Sequence, residues 1–200
     1  MNQKCLIVPI AYFPAINYFS LYTQFQQVYI EKYENFTKQS LRTRCEILSS
    51  NGVQRLIVPV LKTHGEKMPI SEVVIDYSLK WQHQHSMAIV SAYKNSPYFE
   101  YYWHDYIEPI LLMQPKYLID LNIRTMEVML KLFKIKGTHE MSCSYSPISQ
   151  TSCSDYRYKE LPVEMNLSYK QVFHDRHPFV ANLSSLDLLF CCGPESIFVL

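Results

Sequence analysis

The densest polar stretch of the chain runs Glu31-Lys-Tyr-Glu34-Asn35-Phe-Thr37-Lys38-Gln39-Ser-Leu-Arg42-Thr-Arg44-Cys45, with Lys32, Lys38, Arg42 and Arg44 falling inside thirteen positions. Lys38, Arg42 and Arg44 can converge on a phosphate or carboxylate, because arginine offers a planar fork that grips two oxygens at once. Asn35, Thr37 and Gln39 add neutral hydrogen bonds. The competing role is a solvated loop whose arginines pair with neighbouring glutamates. Cys45 adjoins the cations, and a nearby guanidinium enriches the nucleophilic thiolate. Against that, Cys45 opens a predicted strand, where a free cysteine is usually buried.

His83-x-His85 and His174-Asp175-Arg176-His177 offer imidazoles of the kind that bind metals. On a helix, however, His83 and His85 point about 200° apart and cannot share one ion. No metal site and no cofactor is therefore expected. His85 shares a face with Trp81 and has the titration range of a general base; the alternative is a histidine satisfied at the edge of the core. Asn182, Ser184 and Asp187 read as the start of a helix, which caps itself through the serine and also suits an anion.

Periodicity predicts the elements that carry these groups. Leu6 to Ile10 is a short branched apolar run and reads as a buried strand. Tyr18, Leu21, Tyr22 and Phe25 repeat at helical spacing, and Val28 to Ile30 gives a second strand, so the chain opens β-α-β. Asn51-Gly52 between Arg44–Leu48 and Gln54–Val60 predicts a hairpin, and Val73 to Asp76 a further strand. From Leu79 the period turns helical. Trp81, His85, Ala88, Ile89 and Ala92 form one stripe; Phe99, Tyr102, Trp103, Tyr106 and Ile110 a second, with Ser96-Pro97 as its start. Ile123, Met126, Leu130 and Phe133 form a third, capped by Asp120 or Asn122 and ended by Gly137. Met141, Cys143 and Tyr145 alternate as in a strand, and a serine-rich mobile loop is expected near 144–159. The expectation is an α/β or α+β fold: a single domain over 1–200, with a mixed sheet covered by three helices.

Composition narrows the function classes. Of 200 residues, 48% are hydrophobic and the net charge is +1, so the chain folds and carries no global field for nucleic acid. Its 4 glycines are isolated, which removes the glycine-rich phosphate loops, and no G-x-S-x-G is present. The 6 cysteines contain no C-x-x-C and include the adjacent pair Cys191-Cys192; thiols in a reducing cytoplasm are expected. Pro9 and Pro14 interrupt the apolar start, which argues against a signal peptide. No apolar run is long enough to span a bilayer.

Taken in order, Tyr12-Phe-Pro14, Tyr18-Phe19, Glu34-Asn-Phe-Thr-Lys38-Gln, Arg42-x-Arg44-Cys45, Ile57-Val-Pro-Val60, Trp81-x-x-x-His85, Ser91-Ala-Tyr93-x-x-x-Pro97-Tyr-Phe99, Asn182-Leu-Ser and Leu186-Asp-Leu-Leu-Phe190 resemble the WbqC-like protein family from about residue 5 to 195. Asn35, Lys38, Arg42, Arg44, Trp81, His85, Ser91 and Tyr93 match its pattern; Phe36, Gln84 and Cys191-Cys192 depart from it. The resemblance implies a bacterial protein encoded among O-antigen or other surface-polysaccharide genes. What it implies about activity is an acyl- or aminoacyl-transferase, with glycine transfer to an amino sugar suggested from gene context. On that basis His85 and Cys45 are the expected catalytic residues. Asn35, Lys38, Arg42, Arg44, Trp81, Tyr93, Asn182 and Ser184 are expected to bind a sugar or nucleotide-sugar substrate. Other polysaccharide-biosynthesis proteins are the expected partners. The alternative is a non-catalytic sugar-nucleotide-binding or scaffold protein of the same system.

Overall fold

The computed structural model describes residues 5–61, 68–136, 138–142, 153–159, 161–162 and 168–200. Strand β1 (Cys5–Pro9) leads through helix α1 (Ile16–Gln24) to β2 (Gln27–Glu31), and the two strands pair in parallel from Cys5↔Gln27 to Pro9↔Glu31. This is the β-α-β opening that the apolar spacing predicts. Farther along the chain, β5 (Thr138–Met141) joins β2 and β6 (Ser154–Asp155) joins β1, both in parallel, giving the order β5-β2-β1-β6. Parallel pairs need covered faces, and β1 is accordingly apolar throughout, with Leu6 and Val8 fully buried.

The predicted hairpin is present as β3 (Arg44–Ser49) and β4 (Gly52–Ile57), closed at Ser49↔Gly52. Ser50 and Asn51 make the turn, and Gly52 takes a φ of 104°, a conformation glycine adopts without penalty. The α/β class holds, but the parallel and antiparallel strands form two separate sheets, not one mixed sheet. Val73 to Asp76 makes isolated bridges, Val74↔Tyr117 and Ile75↔Val60, in place of a strand.

The three apolar stripes become α2 (Trp81–Tyr93), a helix broken into α3 (Phe99–Tyr102), a π turn (Trp103–Ile107) and α4 (Glu108–Leu112), and α5 (Leu118–Leu132). Two of the predicted caps act elsewhere. Ser96 Oγ donates back to Tyr93 O and closes α2, and the Asn122 side chain, inside α5, donates to Arg42 O. Gly137, Cys143, Tyr145 and residues 144–152 of the serine-rich stretch lie outside the described residues. Within the range expected to be a loop, Ser154 and Asp155 instead form β6. No helix among the described residues is long and apolar enough to cross a membrane.

Helix α6 (Ser185–Cys192) closes the fold. Ser184 caps it by accepting from Leu186 N, and the residues before it bind the start of α1: Ile16 N donates to Leu183 O and Asn17 N to Asn182 Oδ1. Ala15 has no side-chain acceptor of its own, so α1 is capped from the far end of the chain.

Cys5 and Cys153 are joined by a disulfide. The β1–β6 register sets these two residues opposite one another, so the expectation of thiols throughout does not hold for this pair. Cys45, Cys191 and Cys192 are free.

Below the strand ends lies a buried ionic network. Arg157, 0% exposed at its side chain, grips Asp155 with Nε and Nη2 and reaches Glu31 Oε2 through Nη1 at 3.1 Å. Arg42 forks onto Glu34 at 2.7 and 2.5 Å and donates to Arg157 O at 3.0 Å. Truncating one side of such a pair leaves a buried charge uncompensated, which costs about 3 to 5 kcal/mol. Arg42→Ala is therefore expected to lower unfolding stability in urea by about that much. Replacing both partners, Arg42→Leu with Glu34→Met, should recover most of the loss; equal losses in the single and double variants would contradict a coupled pair.

Candidate functional site

The carboxyl ends of β1 and β6 open into a cavity of about 570 Å³. β1 has β2 on one side and β6 on the other, and the gap where connections diverge beyond parallel strand ends is where such sheets hold ligands. Phe13, Pro14, Ala15 and Asn17 line it from the β1–α1 connection; Arg157, Tyr158, Lys159 and Leu161 from the segment after β6. Thr37 and Gln39 to Arg42 come from the polar loop, Arg44 to Glu46 from β3, and Asn182 and Ser184 from the last segment.

Five of the expected site residues meet here: Arg42, Arg44, Cys45, Asn182 and Ser184. Their chemistry differs. The Arg42 fork is spent on Glu34, so the buried arginine shapes the cavity floor without offering its charge. Ser184 donates to Phe13 O at 3.0 Å while capping α6, and Asn182, with a φ of 59°, caps α1. Burial pushes the Cys45 thiol up to about 12, outweighing a hydrogen bond with Ser184 that pulls the other way. A thiol held there is protonated at neutral pH and is not an activated nucleophile. Arg44 is different: it is half-buried, and its side chain makes no ion pair or hydrogen bond among the described residues.

A smaller cavity of about 260 Å³ adjoins this one, with Gln39 and Arg44 in the walls of both. Lys38, exposed, lines the smaller cavity together with Arg44. Two cations of the predicted cluster thus line one cavity, although not with Arg42 as a third free charge.

The remaining expected residues lie elsewhere. His85, 4% exposed, lines neither cavity. Its Nε2 faces Ile57 O at 3.2 Å, which can only accept, so Nε2 carries the proton and Nδ1 accepts from the Tyr12 hydroxyl at 3.0 Å. Burial lowers its pKa to about 4, against a smaller opposing effect of the Ile57 carbonyl. Both ring nitrogens are occupied, and a general base needs one that reaches substrate. Trp81 is buried edge-on against His85 at 5.1 Å between ring centres. Tyr93 is fully buried; its hydroxyl donates to Asp187 and accepts from Leu48 N, which ties α2, α6 and β3 together. Asn35 bridges Pro69 through its backbone and lines neither cavity.

Asp187, read from sequence as a first-turn acid, is a buried hub that accepts from Tyr93, Tyr169 and Gln171, and burial raises its pKa. Sequence reasoning passed over Arg157, Lys159 and Asn17. The available signal was Asp155-x-Arg157, an acid and a base on the same side of an extended segment; periodicity hid it inside an apparent loop. Among the described residues no group of three or more His, Cys, Asp or Glu side chains is disposed to hold a metal ion.

A sequence model of the WbqC-like protein family matches residues 10–161 of the chain. No curated protein and no solved structure matches it. The matched range includes the polar loop, the hairpin, His85 and the Asp155-x-Arg157 pair.

The position of His85 has a pH consequence. Its pKa in the fold, about 4, lies below the value near 6.5 of an exposed imidazole, so between these two the unfolded chain binds more protons. Its contribution to stability is complete above about 6.5 and disappears as pH falls to about 4, by up to roughly 3 kcal/mol. Urea unfolding of the wild type and His85→Gln across this range should show the gap between them closing as pH falls; a gap independent of pH would contradict a neutral buried imidazole.

Proposed function

The chain belongs to the WbqC-like protein family, and from that premise we propose that it binds a sugar or nucleotide sugar in the larger cavity and transfers an acyl or aminoacyl group to it in bacterial surface-polysaccharide biosynthesis. The observation that carries this is Arg44: a guanidinium without a protein partner among the described residues, in the wall of a cavity of about 570 Å³ at parallel strand ends. Such a fork binds a phosphate or carboxylate in bidentate fashion, and the cavity falls in the size range of small-molecule sites. Lys159, exposed in the wall contributed by the segment after β6, adds a second positive charge. Thr37, Gln39 and Ser40 supply the neutral donors and acceptors that sugar hydroxyls need.

His85 and Cys45 take no part in the proposed chemistry, since one lies outside the cavity and the other is a buried, protonated thiol. That same observation favours a second function, binding without turnover, in which the protein presents a sugar nucleotide to a partner of the assembly system. Incubation with candidate donors and an amino-sugar nucleotide, read by mass spectrometry, separates the two: an acylated product supports transfer, and tight binding without product supports presentation.

Arg44→Ala is expected to weaken sugar-nucleotide binding by about 10- to 100-fold, the worth of charge-assisted hydrogen bonds, with the circular dichroism spectrum and unfolding midpoint unchanged. Unaltered affinity by calorimetry would reject the anion site. Action in the cytoplasm belongs to this reading, and it requires the Cys5–Cys153 disulfide of the structure to be opened there to two thiols. Alkylation during lysis followed by mass spectrometry tests this; a disulfide trapped at lysis would point to an oxidising compartment.

A further inference from the structure

The smaller cavity has a chemistry of its own. Its walls are largely apolar, formed by Phe36 on one side and by the stretch from Ile57 to Leu61 on the other, yet Lys38 and Arg44 also line it. Each wall is tied down by the backbone. Phe36 N donates to Met68 O, while Val58 N donates to Thr43 O and Leu61 N to Val74 O. Ile57 and Leu61 remain 54% and 50% exposed beside the cavity. Neither cation makes an ion pair among the described residues.

An apolar pocket bordered by two unpaired cations is complementary to one kind of small molecule, an anion that carries an apolar group. We propose that this cavity is a subsite for the short acyl or alkyl group of such an anion, with its carboxylate or phosphate held between Lys38 and Arg44. At about 260 Å³ the space suits a chain of a few carbons and excludes a nucleotide. Because Gln39 and Arg44 stand in both walls, the charged end of this molecule lies at the border of the larger cavity. If the molecule is an acyl phosphate, its carbonyl carbon lies at the border of the larger cavity, where the amine of a bound sugar can form the C–N bond as the C–O bond to phosphate breaks, phosphate leaving and the amine proton passing to solvent. The inference rests on Arg44 as an anion site, as proposed above, and adds the identity of the group on its other side.

Straight-chain carboxylates test it: acetate, butanoate and hexanoate, titrated into the full-length protein by calorimetry at constant ionic strength. Affinity is expected to rise about fourfold per methylene up to the length that fills the pocket, as apolar burial requires. Val60→Phe should abolish that gain by filling the space. Leu61→Asp, at a half-exposed side chain where a folding defect is not expected, should weaken hexanoate at least tenfold by charge and leave sugar-nucleotide affinity unchanged. Affinity that does not depend on chain length, or hexanoate binding indifferent to both variants, would overturn the subsite. So would a dimer on gel filtration that Leu61→Asp dissociates, since the apolar walls would then serve a second copy of the chain. Loss of the alkanoate series with sugar-nucleotide binding intact defeats the subsite alone; loss of both in the wild type defeats the anion site on which it depends.

Discussion

Arg157 is buried just beyond the end of β6, and it holds Asp155 of that strand together with Glu31 at the end of β2. β6 has only two residues, too few to stay in a sheet by backbone pairing alone. The guanidinium secures it instead, through Asp155 on the strand and Glu31 on β2. Arg42 extends the same network into the polar loop by gripping Glu34 and the Arg157 carbonyl. Strand ends, loop and hairpin are thereby locked at one place, and the cavity is the space they leave open.

The balance of charge within the network explains the division of labour among the arginines. Glu31, Glu34 and Asp155 face two guanidinium groups, so the buried cluster has no positive charge to spare for a ligand. Burial raises the Glu34 pKa, while the Arg157 hydrogen bonds overcome burial at Asp155 and lower its own. Arg44, two residues beyond Arg42 at the start of β3, takes no partner from this cluster and keeps its fork available. Similar side chains two residues apart therefore differ, one held in the wall by Glu34 and the other lining the cavity with no ion pair among the described residues.

The aromatic wealth of the chain serves mostly the interior. Tyr12, Tyr18 and Tyr93 are fully buried, and each hydroxyl has a partner: the His85 ring, the Pro9 carbonyl and the Asp187 carboxylate. A buried phenol without such a partner would be costly, which is why the imidazole and the carboxylate accompany them. Trp81-x-x-x-His85 and Tyr93 are thus packing constraints at helical spacing. The same spacing in the sequence is equally compatible with a binding face.

Local signals were sufficient for the elements. The apolar run before Pro9, the helical stripe from Tyr18, the hairpin signalled by Asn51-Gly52, the stripe from Trp81 and the serine ahead of Leu186 all depend on neighbours a few residues away, and each element forms, the hairpin turning at Ser50-Asn51 with Gly52 as the first residue of β4. The polar loop was legible as a cluster of cations for the same reason. What the sequence could not decide was which cation is free, because that depends on Glu34, Asp155 and Arg157, brought together with Glu31 from positions up to 126 residues apart by parallel pairing. The burial of His85 and Cys45, the capping of α1 by Asn182 and the pairing of Cys5 with Cys153 were hidden likewise. Periodicity records which face of an element is apolar; only the packing of distant elements determines whether a polar group on that face meets a partner or an opening.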